Sequence, residues 1–159
     1  MGGIGEQTGG KSPSELMAEA FWFFAHTLIS LLVYVALVAA IQMLRPDSFS
    51  MLLATALAFA VPAIAGFLIA LIWPNDIARY IWIFGLVWFS IVCVYVLDLP
   101  TGPGLCEHCG AVSKLWQTLV TFDHPSGLFY GSGNAFGTWP ALANIGYAIG
   151  AKFGLKSKS

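Results

Sequence analysis

Cys106 and Cys109 bracket Glu107 and His108, and Gly110, Asp123 and His124 follow in the same polar stretch. Two thiols at that spacing can close a disulfide, exchange one, or hold two corners of a metal tetrahedron. The metal suggested by such donors is zinc, with His108 or His124 completing a set of two cysteines and two histidines. In a dimer, two such pairs could share one ion. The third cysteine, Cys93, lies inside an apolar run and is poorly placed to join them.

His26 is the one histidine inside an apolar run. An ionisable group there is a candidate ligand, for a haem or for the magnesium of a chlorophyll. A haem held by two histidines would need the second from another chain. The plainer expectation is a neutral ring hydrogen-bonded to a neighbour. Tyr80, Phe84, Trp88 and Tyr95 recur at three- to four-residue spacing or its double. They could form a stripe facing a quinone, a pigment, a lipid tail or a partner helix, or simply pack. No serine–histidine–aspartate set, zinc-protease HExxH or phosphate loop is present. Nor is there an evident inverted repeat of the transporter kind. No acidic or basic residue falls well inside an apolar run, as ion coupling would require.

The elements that position these residues follow from solvent. Of 159 residues, 58% are hydrophobic and 9% charged, with seven Lys and Arg against eight Asp and Glu. Mean hydropathy is +0.78. Soluble domains carry roughly 25% charged residues, so this composition excludes a soluble enzyme, a disordered chain and a nucleic-acid binder. It implies an all-α integral membrane bundle. Apolar runs over residues 19–44, 49–73 and 77–97 each reach the ~20 residues a spanning helix needs. In lipid the backbone must satisfy itself, so these runs are helices.

Ser12-Pro13-Ser14-Glu15 reads as a capping box that starts the first helix at Pro13. Asp47 is expected to cap the second helix, and Trp73-Pro74-Asn75-Asp76 to introduce the third. Short links make consecutive helices antiparallel neighbours. In the second run Ala54, Ala58, Pro62, Gly66 and Ala70 form a small-residue ridge, which marks it as the central packing helix, kinked near Pro62. The organisation is then a flexible Gly-rich tail without signal-peptide pattern (1–12), a three-helix membrane bundle (13–99), a polar loop with the CxxC (100–133), a shorter fourth membrane helix (134–152) and a basic tail (153–159).

The fourth segment is ambiguous by hydropathy, since Asn144 and its glycines dilute it. Gly146, Gly150 and Gly154 at spacing four suit a tightly packed membrane helix. With four spans, Lys11, Arg79, Lys152, Lys156 and Lys158 share one side against Arg45 and Lys114; with three, the split is again five to two. The positive-inside rule therefore puts the C-terminus in the cytoplasm, of a bacterial inner membrane on our reading, without counting helices. Four spans put Cys106 and Cys109 outside, oxidised to each other; three leave them reduced or metal-bound.

The Cys-x-x-Cys-Gly pattern resembles one knuckle of a zinc ribbon, with the second knuckle missing. In size, helix count and possession of one CxxC the chain is similar to the membrane disulfide-generating and vitamin K epoxide reductase families. Those families use two cysteine pairs and a quinone; here one pair sits in a loop and Cys93 stands alone, so no family is assigned. The expected function is a small non-catalytic membrane subunit, partnered by the lipid bilayer and by other subunits or a second copy, with no nucleic acid. The alternative is a membrane thiol-redox or metal-binding protein centred on Cys106 and Cys109.

Overall fold

The computed structural model describes residues 12–44, 50–98, 110–120 and 134–157, and the elements among them are helices with no strand. Helix α1 covers Pro13–Met43, α2 Met51–Ile72, α3 Trp82–Asp98, α4 Ala111–Leu119 and α5 Thr138–Ser157. A 3₁₀ turn, Asp76–Tyr80, precedes α3. Three stretches are long and apolar enough to cross a membrane: α1, α2 and the turn plus α3, Asp76–Asp98.

Local chemistry sets the helix starts. The Ser12 backbone N–H donates to Glu15 Oε2 at 2.9 Å, and the Glu15 N–H returns to Ser12 Oγ at 3.4 Å. Both otherwise orphaned donors are thereby satisfied. From there α1 runs 31 residues, about 46 Å at ~1.5 Å per residue, well beyond a ~30 Å hydrocarbon core. The second helix departs from expectation: its cap is Ser50, whose Oγ accepts from Leu53 N–H at 3.2 Å, and not Asp47. Capping at Ser50 makes Met51 the first helical residue and buries its side chain. Before α3, Asn75 Oδ1 accepts from Ile77 N–H at 2.9 Å and opens the 3₁₀ turn. Helix α2 is continuous through Pro62, whose ring is fully buried.

Directions follow from who touches whom. Going along α5, Gly146 lies on the Phe59 carbonyl, Gly150 on Ala63 and Gly154 on Phe67 of α2. Both series rise together, so α2 and α5 run parallel. Against α1 the order reverses, with Tyr147 meeting His26 and Ala135 meeting Tyr34. Against α3 it reverses too, with Ala141 at Gly85 and Phe136 at Trp88. The described chain therefore traverses the bundle four times, and the start of α1 and the end of α5 share one end. At the opposite end α4 is held by Lys114 Nζ donating to Leu97 O at 3.1 Å and by Thr138 Oγ1 donating to Leu119 O.

The inward faces carry many small or polar residues, with Val38, Ile41 and Met51 among them, and the outward faces are large and apolar. On α1, His26, Thr27, Ser30 and Tyr34 point inward, while Phe21, Phe24, Leu28, Leu32 and Val35 are exposed. On α2 the buried set is Met51, Ala54, Ala58, Pro62, Gly66 and Ala70. A water-soluble bundle shows the opposite pattern. Helix α2 shares the central position with α5, whose burial is heavier still. Helix α5 also runs on to Ser157, five residues into the segment read as a basic tail, because Gly154 is seated on Phe67 and Ala70.

Candidate functional site

The seam between α2 and α5 brings backbones together. A Cβ at Gly66 would collide with the Tyr147 carbonyl, one at Gly146 with Phe59 O, and one at Gly150 with Ala63 O. At Gly154 it would stand 2.6 Å from Phe67 O. Ala54, Ala58 and Ala70 are each about 1% exposed on the facing ridge. Without a hydrophobic drive between helices in lipid, such close dispersion contact is what holds helices together.

This proximity builds a buried polar cluster between α1 and α5. His26 Nδ1 and Tyr147 Oη are 2.9 Å apart, and the tautomer of the ring decides which donates. The indole of Trp22 lies beside the imidazole, ring centres 6.0 Å apart. His26 Nε2 is buried with no hydrogen-bond partner, and so is Ser30 Oγ one turn further along α1. One turn before Tyr147, Asn144 donates from Nδ2 to Pro140 O at 2.9 Å while its Oδ1 is buried without a partner. Chemically, His26 and Tyr147 can pass or hold one proton, and His26 Nε2 can offer one lone pair or one N–H. A metal needs more donors: among the described residues no group of three His, Cys, Asp or Glu side chains comes together.

A second set of hydrogen bonds fixes the entry to α5. Tyr34 donates to Ala135 O, Trp88 Nε1 to Phe136 O at 2.8 Å, and Trp139 Nε1 to Thr55 Oγ1 at 2.9 Å. Helices α1 and α3 thus clamp the turn at residues 134–137, and α2 holds the first turn of α5. Beside it an apolar cleft of about 400 Å³ opens between α1 and α3, lined by Tyr34, Val38, Trp88, Phe136 and Pro140.

The residues singled out from sequence fall in different places. Cys106, Cys109, His108 and His124 lie outside the described residues. Cys93 is a free, partly exposed thiol on α3. Of the aromatic stripe, Tyr80 belongs to the 3₁₀ turn, Phe84 is half-buried, and Trp88 and Tyr95 are 38% and 63% exposed. Tyr147 and Ser30 were not anticipated as neighbours of His26. The available signal was the pairing of Asn144 and Tyr147, three apart and so on adjoining positions of one helix face, in a glycine-ridged helix.

No protein-family model matches this chain, and no curated protein or solved structure is detectably similar to it.

Proposed function

We propose that this chain is a small, non-catalytic, four-pass membrane subunit that packs within a larger membrane complex. The observation that carries the reading is the distribution of side chains: the interior mixes small and polar residues with a few large ones such as Met51 and Trp139, while large apolar residues cover the outer faces of α1 and α3. Those outer faces suit lipid or another membrane helix. The interior polar groups are closed in, with His26, Ser30, Asn144 and Tyr147 all 2% exposed or less, so they offer no route to a substrate. Helix α3 is the proposed docking element. Its buried residues are Gly85 and Val96 alone among those described, while Ile91, Val94 and Tyr95 face outward.

Orientation belongs to the same proposal. Arg79, Lys152 and Lys156 lie at the end shared by the start of α1 and the end of α5, and Lys114 at the other. The positive-inside rule then supports cytoplasmic termini in a bacterial inner membrane. The decisive experiment is site-specific photo-cross-linking from Ile91 and Val94 in native membranes. Protein adducts of constant mass are expected. Adducts to lipid alone at both positions would overturn the subunit reading. The alternative, thiol-redox or metal chemistry at Cys106 and Cys109, rests on their spacing. It predicts that Cys106→Ser and Cys109→Ser abolish function while complex assembly persists.

A further inference from the structure

One cleft outside the seams combines charge with apolar surface. It has a volume of about 560 Å³ and lies where the 3₁₀ turn and the start of α3 meet the middle turns of α5, Ile145 to Lys152. Arg79 and Lys152 line it from two different elements, with Tyr80 and Trp82 beside Arg79. Ile145 and Ile149 continue its wall along α5, and Lys152 follows three residues later on the same face. Both walls therefore change from cation to apolar side chain in the same direction, from the end of the bundle toward its middle. Among the described residues Lys152 makes no ion pair. The Arg79 guanidinium stands 3.6 Å from the exposed carboxylate of Asp76 and 4.9 Å over the Tyr80 ring. An exposed contact of that length leaves most of its charge available.

We propose that this cleft binds an anionic glycerophospholipid, its phosphate between Arg79 and Lys152 and an acyl chain along Ile145, Ile149 and Trp82. Charge complementarity selects the occupant. Basic pockets between membrane helices attract anionic headgroups, a zwitterionic lipid would bring its own ammonium toward two cations, and a free phosphate would leave the apolar wall uncovered. The inference rests on the membrane-spanning reading above, because spanning is what brings lipid to the level of Trp82.

The test uses the full chain in lipid nanodiscs and measures association of spin-labelled phosphatidylglycerol against spin-labelled phosphatidylcholine. A preference of about tenfold for the anionic lipid is expected, the equivalent of about 1.4 kcal/mol, within reach of two exposed cations. Arg79→Gln with Lys152→Gln should bring the ratio close to unity with an unchanged thermal melt. Lys156→Gln removes one positive charge from the same end, outside the cleft, and should keep the preference. Equal association of both lipids with the wild type would overturn the site. So would a preference that survives the double substitution, or one that Lys156→Gln abolishes equally. Displacement of the labelled lipid by inorganic phosphate would identify an ion site instead. Alkaline extraction of native membranes reads the spanning itself separately: protein released by that wash would overturn the membrane reading, whatever the lipid measurement shows.

Discussion

Helices α3 and α5 lie side by side and represent two solutions to the same surroundings. Eleven of the 20 residues of α5 are buried, against two of the 17 in α3. Helix α3 is apolar on nearly every face because most of its surface meets whatever surrounds the bundle. Helix α5 carries glycines, alanines, Asn144 and Tyr147 because its surroundings are protein. Hydropathy thus reports what a helix touches rather than whether it crosses. A helix sheathed by its neighbours can traverse the bundle with little apolar excess, provided its backbone is satisfied internally and its side chains permit close approach.

The comparison breaks outright if α5 does not cross. Reporter fusions to residues 2 and 159 should report the same side of the membrane. Opposite sides would reduce α5 to a surface helix and remove the basis for the contrast.

The next largest effect is expected in the seam. Gly150→Leu and Gly146→Leu force side chains into the Ala63 and Phe59 carbonyls, and backbone cannot yield as a side-chain tip can. Each should cost about 3 kcal/mol or more, at the upper end for overpacking, seen as a large fall in melting temperature in detergent. Ile91→Leu on α3, 58% exposed, should leave the melt where it is. Wild-type stability in both glycine variants would remove α5 from the core.

A smaller effect sharpens the polar side of the contrast. Tyr147→Phe leaves His26 without a protein partner on either ring nitrogen and should destabilise by about 1–3 kcal/mol. Combined with His26→Leu, the loss should fall short of the sum of the single losses by about 1 kcal/mol, the scale of interhelical hydrogen bonds in membranes. Strict additivity in that double-mutant cycle would mean the 2.9 Å contact contributes no coupling. Smallest of all is Ser90→Ala on α3. Its hydroxyl returns to Leu86 O within its own helix at 2.9 Å, so a change below ~0.5 kcal/mol is expected.

Much of this arrangement was legible in the chain before folding was considered. The capping box at Ser12 and Glu15, the three apolar runs and the small-residue positions on α2 follow from local rules and periodicity. The cap of α2 is Ser50 and not the expected Asp47, since both residue types cap well; the burial of Met51 in the tertiary core accompanies the choice of Ser50. The candidate site was half visible. His26 stood out as an ionisable group in an apolar run, but its partner is 121 residues away, and no local pattern encodes that distance. Arg79 and Lys152 were visible as charges for a topology rule, not as two walls of one cleft.

By itself, then, the sequence determined the solvent of this protein, its helical class and the positions where helices can approach closely. Each depends on composition or on contacts within a few residues. Tertiary structure alone decided that α5 runs parallel to α2 through the middle of the bundle, and that Tyr147 meets His26. It also put Arg79 and Lys152 on the walls of one cleft. The physical reason is that small residues permit close approach without naming a partner. Which ridge meets which is selected by the fit of whole surfaces, Gly146, Gly150 and Gly154 against Phe59, Ala63 and Phe67, and that fit exists only once all four traversing helices are in place.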